Sequence, residues 1–176
     1  ALQSRIVVIP VPYTLKVDAE VKIYEKLIGQ SDLKDVHIAP HALRTAAIFS
    51  VLSRLKESSK KGVDLITKLK IYQGEEVAGF RKKDVEELQS EYPDEGMSGV
   101  DPRYVMNRLS AALIRSQHGC LTPLDVLRAL KDGLDQHPSI TREERERLLN
   151  LIALTRKEYD EIAKREVQRA FIHSFE

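Results

Sequence analysis

The sequence predicts a mostly α fold: a helical array with one short β-strand at its N-terminus. Three observations lead there. Helix-start signals recur at Asp18, Pro40, Asp101-Pro102, Thr122-Pro123 and Thr141. The single β-branched, continuously apolar run lies between Ile6 and Val11. With 176 residues, 42% hydrophobic and 31% charged, the chain has the composition of one folded domain or two small ones, and it is long enough to bury a core without disulfides.

Ile6-Val7-Val8-Ile9-Pro10-Val11 suits a strand buried on both faces, and Pro10 and Pro12 force it to end there or lie at an edge. One strand has no partner, so its sheet is expected elsewhere in a longer protein. The same expectation comes from a start at Ala1 without Met, and from an end at Phe175-Glu176 inside a helical pattern. After Tyr13 the pattern is helical. Asp18 caps a first helix to about Ile28, with Val21, Tyr24, Leu27 and Ile28 on one face, and Gly29 stops it. Pro40 falls in the first turn of a second helix, with Leu43, Ala47, Phe49, Leu52 and Leu55 as its apolar set. Residues 56–62 form a polar loop, 64–71 and 84–91 short helices, 73–79 a linker and 94–99 a second loop. Asp101 as N-cap with Pro102 at the first position opens a helix to about Ser116. Thr122-Pro123 opens another through Asp132, and Thr141 with Glu144 makes a capping-box pattern for a long helix to at least Ala170.

Charge excludes one class of function. Lys and Arg number 28 against 27 Asp and Glu, so a nucleic-acid binder working through net charge alone is ruled out. No apolar run reaches the roughly 20 residues that span a bilayer, and no secretory pattern is present. The lone Cys120 forbids an intrachain disulfide and suits a reducing compartment; a cytoplasmic protein without membrane partners is expected.

Motif absences narrow the chemistry. There is no Gly-x4-Gly-Lys-Ser/Thr phosphate loop, no kinase Gly-rich loop, no His-Arg-Asp and no Asp-Phe-Gly. His37 and His41 are four apart, but Pro40 interrupts them and no carboxylate completes a set; packing at the helix start is the expected role, and no metal site is expected. His118, His137 and His173 have no visible partners. Two arginines stand out. Arg5 precedes the β-run, either as a charge on an interface or as a gatekeeper at a strand end. Arg103 is the second residue after Asp101-Pro102, following a Gly-Met-Ser-Gly loop. With Asn107 and Ser110 it lies off the apolar arc of Val105, Met106, Leu109, Ala112 and Leu113. The helix dipole disfavours a cation there, whereas a site meeting phosphate can use both the arginine and the helix end.

The strings VVIPVPYTLKVDAEVKIYEKLI, HIAPHALRTAAIFSVLSRLK, DEGMSGVDPRYVMNRLSAAL and LDVLRALKDGLDQHPSI are long, ordered and spread over the whole chain. In them the sequence resembles the bacterial PrkA family of serine protein kinases, which pair an AAA+ ATPase module with a C-terminal kinase-named region. The resemblance implies that residues 1–13 are the last strand of the AAA+ core and 14–118 the helical lid, with an insertion around 56–99. Residues 119–176 then enter the C-terminal domain. It further implies that Arg5 is an arginine finger acting on a neighbouring subunit's ATP. Arg103, with Asn107 beside it, takes the place of the sensor-2 contact to nucleotide in its own subunit. ATP and Mg2+ are expected in the longer protein and not on this chain alone, whose phosphate loop and metal-binding acid lie upstream. A serine-containing protein substrate and a homo-oligomer are the implied partners.

Two other readings stand beside the kinase. An AAA+ ATPase remodelling a partner protein would use the same arginines. A helical interaction module would use the long helix, with its alternating charges around Leu148, Ile152, Tyr159, Ile162 and Val167. DNA recognition by residues 122–134 is disfavoured, because Arg128 and Lys131 are balanced by Asp125 and Asp132.

Overall fold

The computed structural model describes residues 7, 9–31, 33–80, 82–115, 119–136 and 140–173. Among them the chain forms seven helices and one two-residue parallel pair of strands, so the mostly α class holds. The order is α1 (Val17–Gly29), β1 (His37–Ile38), α2 (Ala42–Arg54), α3 (Leu65–Gln73), α4 (Lys82–Glu91), α5 (Pro102–Arg115), β2 (Cys120–Leu121), α6 (Pro123–Asp135) and α7 (Arg142–His173). The strands pair His37 with Cys120 and Ile38 with Leu121.

Helix α2 is the axis. Every residue from Thr45 to Leu55 is buried, and α1, α3, α5, α6 and α7 all pack on it. A helix buried around its whole circumference belongs at the centre of an array. Ala46 and Ala47 let neighbours approach, while Ile48, Phe49, Val51 and Leu52 fill the space between them. Its two buried serines bond back to the helix, Ser50 Oγ to the Ala46 carbonyl and Ser53 Oγ to the Ser50 carbonyl.

Helix limits follow local chemistry with instructive exceptions. Asp18 is not the cap of α1; Lys16 holds that position without a side-chain bond, and the Asp18 carboxylate pairs with Arg44 at 2.8 Å. Pro40 precedes α2 instead of entering its first turn, because His41 takes a left-handed conformation (φ 65°) as N-cap and turns the chain before Ala42. Asp64 caps α3 through the Thr67 N–H, which also holds the Asp64 carboxyl below its ordinary range. Thr122 and Asp125 form a complete reciprocal capping box on α6. At α7 half of the expected box is present: Thr141 Oγ1 accepts the Glu144 N–H, while the Glu144 carboxylate turns to Arg147.

The expected N-terminal strand is not seen in the described part of its run. Val7, Ile9 and Val11 are 76–86% exposed and adopt no strand. A strand exists through its ladder, and the described residues of this run make no backbone hydrogen bond to another described segment. Ile6 and Val8 lie outside the described residues, as do His118 and His137. No described helix is long and apolar enough to cross a membrane.

Candidate functional site

The N-terminus of α5 is assembled from three pieces: the Gly99 loop, the Asp101 cap and the end of α2 beneath them. Asp101 accepts the Arg103 N–H on Oδ1 at 2.6 Å and the Tyr13 hydroxyl on Oδ2 at 3.2 Å. Its carboxylate therefore caps the first free N–H of the helix. The Arg103 side chain lies beside this capped end.

Arg103 is exposed, and Asn107 is exposed one turn later. Neither side chain has a hydrogen bond or ion pair to any described residue. On the opposite face Val105 and Leu109 are fully buried, Ala112 nearly so, and Met106 and Leu113 half-buried, which is the expected arc. Ser110, two turns after Arg103 on the same helix, is part-buried and donates to the Met106 carbonyl. The other candidate, Arg5, lies outside the described residues.

What positions this helix end is a residue that sequence patterning did not single out. Arg54, at the last turn of α2, has no exposed side-chain surface. It makes two 2.7 Å bonds to the Glu20 carboxylate and donates to the Thr14 carbonyl at 3.0 Å and the Val100 carbonyl at 2.9 Å. Its guanidinium also lies 4.7 Å from the centre of the Tyr13 ring. Ser53 beside it accepts the Val100 N–H at 2.8 Å and lends its carbonyl to Arg147 of α7 at 2.9 Å. The loop can come this close because of Gly99 (φ 123°): a Cβ there would lie 2.6 Å from Arg54 Cγ. Gly96 (φ 85°) meets the Tyr13 carbonyl in the same way and accepts the Tyr13 N–H at 2.9 Å. A sequence signal for the clamp existed. Glu20 occupies the buried stripe of Val17, Tyr24 and Ile28, and Arg54 ends the uncharged run 45–53. A charge on each of two apolar faces points to a buried pair.

A cavity of about 300 Å³ opens beside the helix end, lined among others by Gly99, Asp101, Tyr104, Glu144 and Leu148. Burial raises the Tyr104 phenol. With two carboxylates in its wall this cavity repels polyphosphate, and Arg103 is not among its lining residues. Among the described residues no cluster of three or more His, Cys, Asp or Glu is placed to hold a metal ion. His37 lies exposed in β1 and His41 at the α2 cap.

Comparison with known proteins supplies the class. A family model described as the PrkA AAA domain matches residues 1–62, and one described as the PrkA serine protein kinase C-terminal domain matches residues 66–176. The chain is thus an AAA-type segment running into a helical C-terminal domain, with the border in the loop between α2 and α3. It belongs to the PrkA family. It is 59% identical over 176 residues to the ATP-dependent protease PrkA of Bacillus subtilis strain 168, covering 100% of this chain and 28% of that protein. It is 29% identical over 185 residues to the serine/threonine kinase YeaG of Escherichia coli strain K12, covering 99% of this chain and 28% of that protein. The chain therefore spans little more than a quarter of the length of these relatives. No solved structure matches it.

Proposed function

We propose that this chain is the lid and connecting region of an ATP-dependent serine protein kinase. In this reading Arg103, with Asn107, faces nucleotide bound by upstream residues of the same subunit, and Arg5 reaches the nucleotide of a neighbouring subunit. The supporting observation is the clamp. Tyr13 and Arg54 belong to the AAA-matched stretch, and they hold Asp101 and Val100, the residues from which α5 springs. An unpaired guanidinium is thereby presented at a fixed place beside the AAA segment. ATP with Mg2+, when bound, supplies the transferable phosphoryl group. The residues present fit a contact to that group's charge, not a whole nucleotide site, since the chain carries no phosphate loop. Arg103 would bind and orient the phosphate and stabilise charge as it develops.

The name of the Bacillus relative favours a second reading, ATP hydrolysis coupled to work on a protein partner. Labelled ATP supplied to the full-length protein separates the two: label on protein serine supports the kinase, free phosphate with a remodelled or cleaved partner supports the other. In either case Arg103→Ala should lower ATP-dependent turnover by about 10- to 100-fold. Unchanged turnover with wild-type ATP binding would remove Arg103 from the site. Arg5→Ala should also be inactive, yet recover activity when mixed with a phosphate-loop variant that keeps its own Arg5. Loss without recovery in demonstrated mixed oligomers would place Arg5's role inside one subunit.

A further inference from the structure

Arg128 and Lys131, disfavoured as DNA contacts, stand in a different setting once the helices are packed. Helices α6 and α7 lie side by side, and between their outer faces runs a groove of about 600 Å³. Its floor is apolar: Leu127 and Ile152 are buried, Leu149 is half-buried, and Leu124 leaves 42% of its surface in water. Its rim is basic, with Arg128, Lys131 and Arg156, and no Asp or Glu lines it. The nearest acids lie on the same helices: Asp125 is 3.9 Å from Arg128, and Asp160 pairs with Arg156 at 2.9 Å. Lys131 has no ion pair to any described residue.

We infer that this groove is a docking surface for an acidic amphipathic helix of a partner protein. An apolar floor between two helices accepts a third helix through anchors at i, i+3 or i+4, and i+7. The rim, with Lys131 unpaired among the described residues and Arg128 and Arg156 each offset by one acid on the far side, matches acidic flanks on that helix. A second copy presenting the same face would bring like charges together. A nucleic-acid backbone would satisfy the rim and leave the floor wet. The groove lies on α6 and α7 and uses neither Arg103 nor the Arg54 clamp, so it stands or falls apart from the nucleotide reading.

The test uses the full-length protein and a fluorescein-labelled helical peptide of about 14 residues, with Leu at the anchor positions and Glu on the flanks, beside a twin carrying Lys for Glu. The acidic peptide should bind with a Kd on the order of 10–100 µM, and more weakly as salt rises. Arg128→Glu combined with Lys131→Glu, both exposed and thus mild for folding, should weaken it at least about tenfold, and so should Leu124→Asp. Equal binding of the Lys twin, affinity unmoved by these variants, or no binding overturns the inference. So does displacement of the peptide by an oligonucleotide. A photo-crosslinker at position 124 that captures another segment of the same chain, or a second copy, likewise reassigns the groove and overturns it.

Discussion

Among the described residues two ion pairs are buried, Arg54–Glu20 and Lys68–Glu95, and they do different work. Lys68 donates to Glu95 at 2.6 Å and to the Lys56 carbonyl at 3.0 Å. Glu95 in turn accepts the Lys56 N–H at 2.7 Å and the Tyr72 hydroxyl at 2.8 Å. Both Lys68 and Tyr72 sit in α3, and the Tyr72 and Tyr92 rings lie 5.6 and 5.1 Å from the ammonium. Each of these bonds spans 39 residues or fewer and closes the 56–95 region upon itself. Arg54 instead reaches 34 residues back to Glu20, 40 back to Thr14 and 46 forward to Val100, while its Nε is left without a partner. The Lys68 cluster staples one stretch. The Arg54 clamp decides how three separate stretches meet, and the α5 end carrying Arg103 is one of them. Burying charge is seldom the cheapest source of stability, and here the clamp's contribution is geometric.

The sharpest way to break this contrast is Arg54→Ala. It strands the buried Glu20 carboxylate and two carbonyls, and should cost about 4 kcal/mol in denaturant unfolding. Lys68→Met should cost less, about 2 kcal/mol, because Glu95 keeps its Tyr72 and Lys56 donors. If Lys68→Met proves the more damaging, the ranking of the two hubs is inverted. A subtler break is Gly99→Ala, which forces a left-handed alanine against Arg54; a loss of about 2 kcal/mol is expected, measured by the same unfolding curves.

Acid sharpens the comparison from the other side. Glu91 accepts the Ser59 N–H and the Ser58 hydroxyl, tying α4 to the loop after α2, and the Ser59 bond above all lowers its carboxyl to about 2. A carboxyl lowered on folding stabilises fully above its ordinary value near 4.5, and that contribution drains away as pH falls towards 2. Chemical unfolding across this window should therefore show wild-type stability falling toward that of Glu91→Gln, which cannot titrate there. Parallel curves for the two proteins would contradict the contact. The smallest effect on stability belongs to Arg103→Ala, within about 0.5 kcal/mol, since the side chain is exposed and makes no hydrogen bond or ion pair to a described residue. A larger loss in unfolding experiments would mean that Arg103 serves the fold.

Local chemistry makes the helices legible from sequence alone. Asp64, Thr122-Pro123, Asp101-Pro102 and Thr141 mark their starts because capping is a property of three or four neighbouring residues. The exposed position of Arg103 and Asn107 also followed from helical periodicity. By contrast, only tertiary structure decided that the residue 6–11 pattern lacks a ladder among described residues, that His41 turns the chain left-handed before α2, and that the Tyr13 hydroxyl, 88 residues away, reaches the Asp101 carboxylate. The Arg54 clamp belongs to the same group. Its partners lie before and within α1 and in the loop before α5, and a bond across 46 residues forms only where the packing of α1, α2 and α5 brings Glu20, Thr14 and Val100 together. Propensity acts along the chain over a few residues; the placing of a buried charge depends on everything that surrounds it.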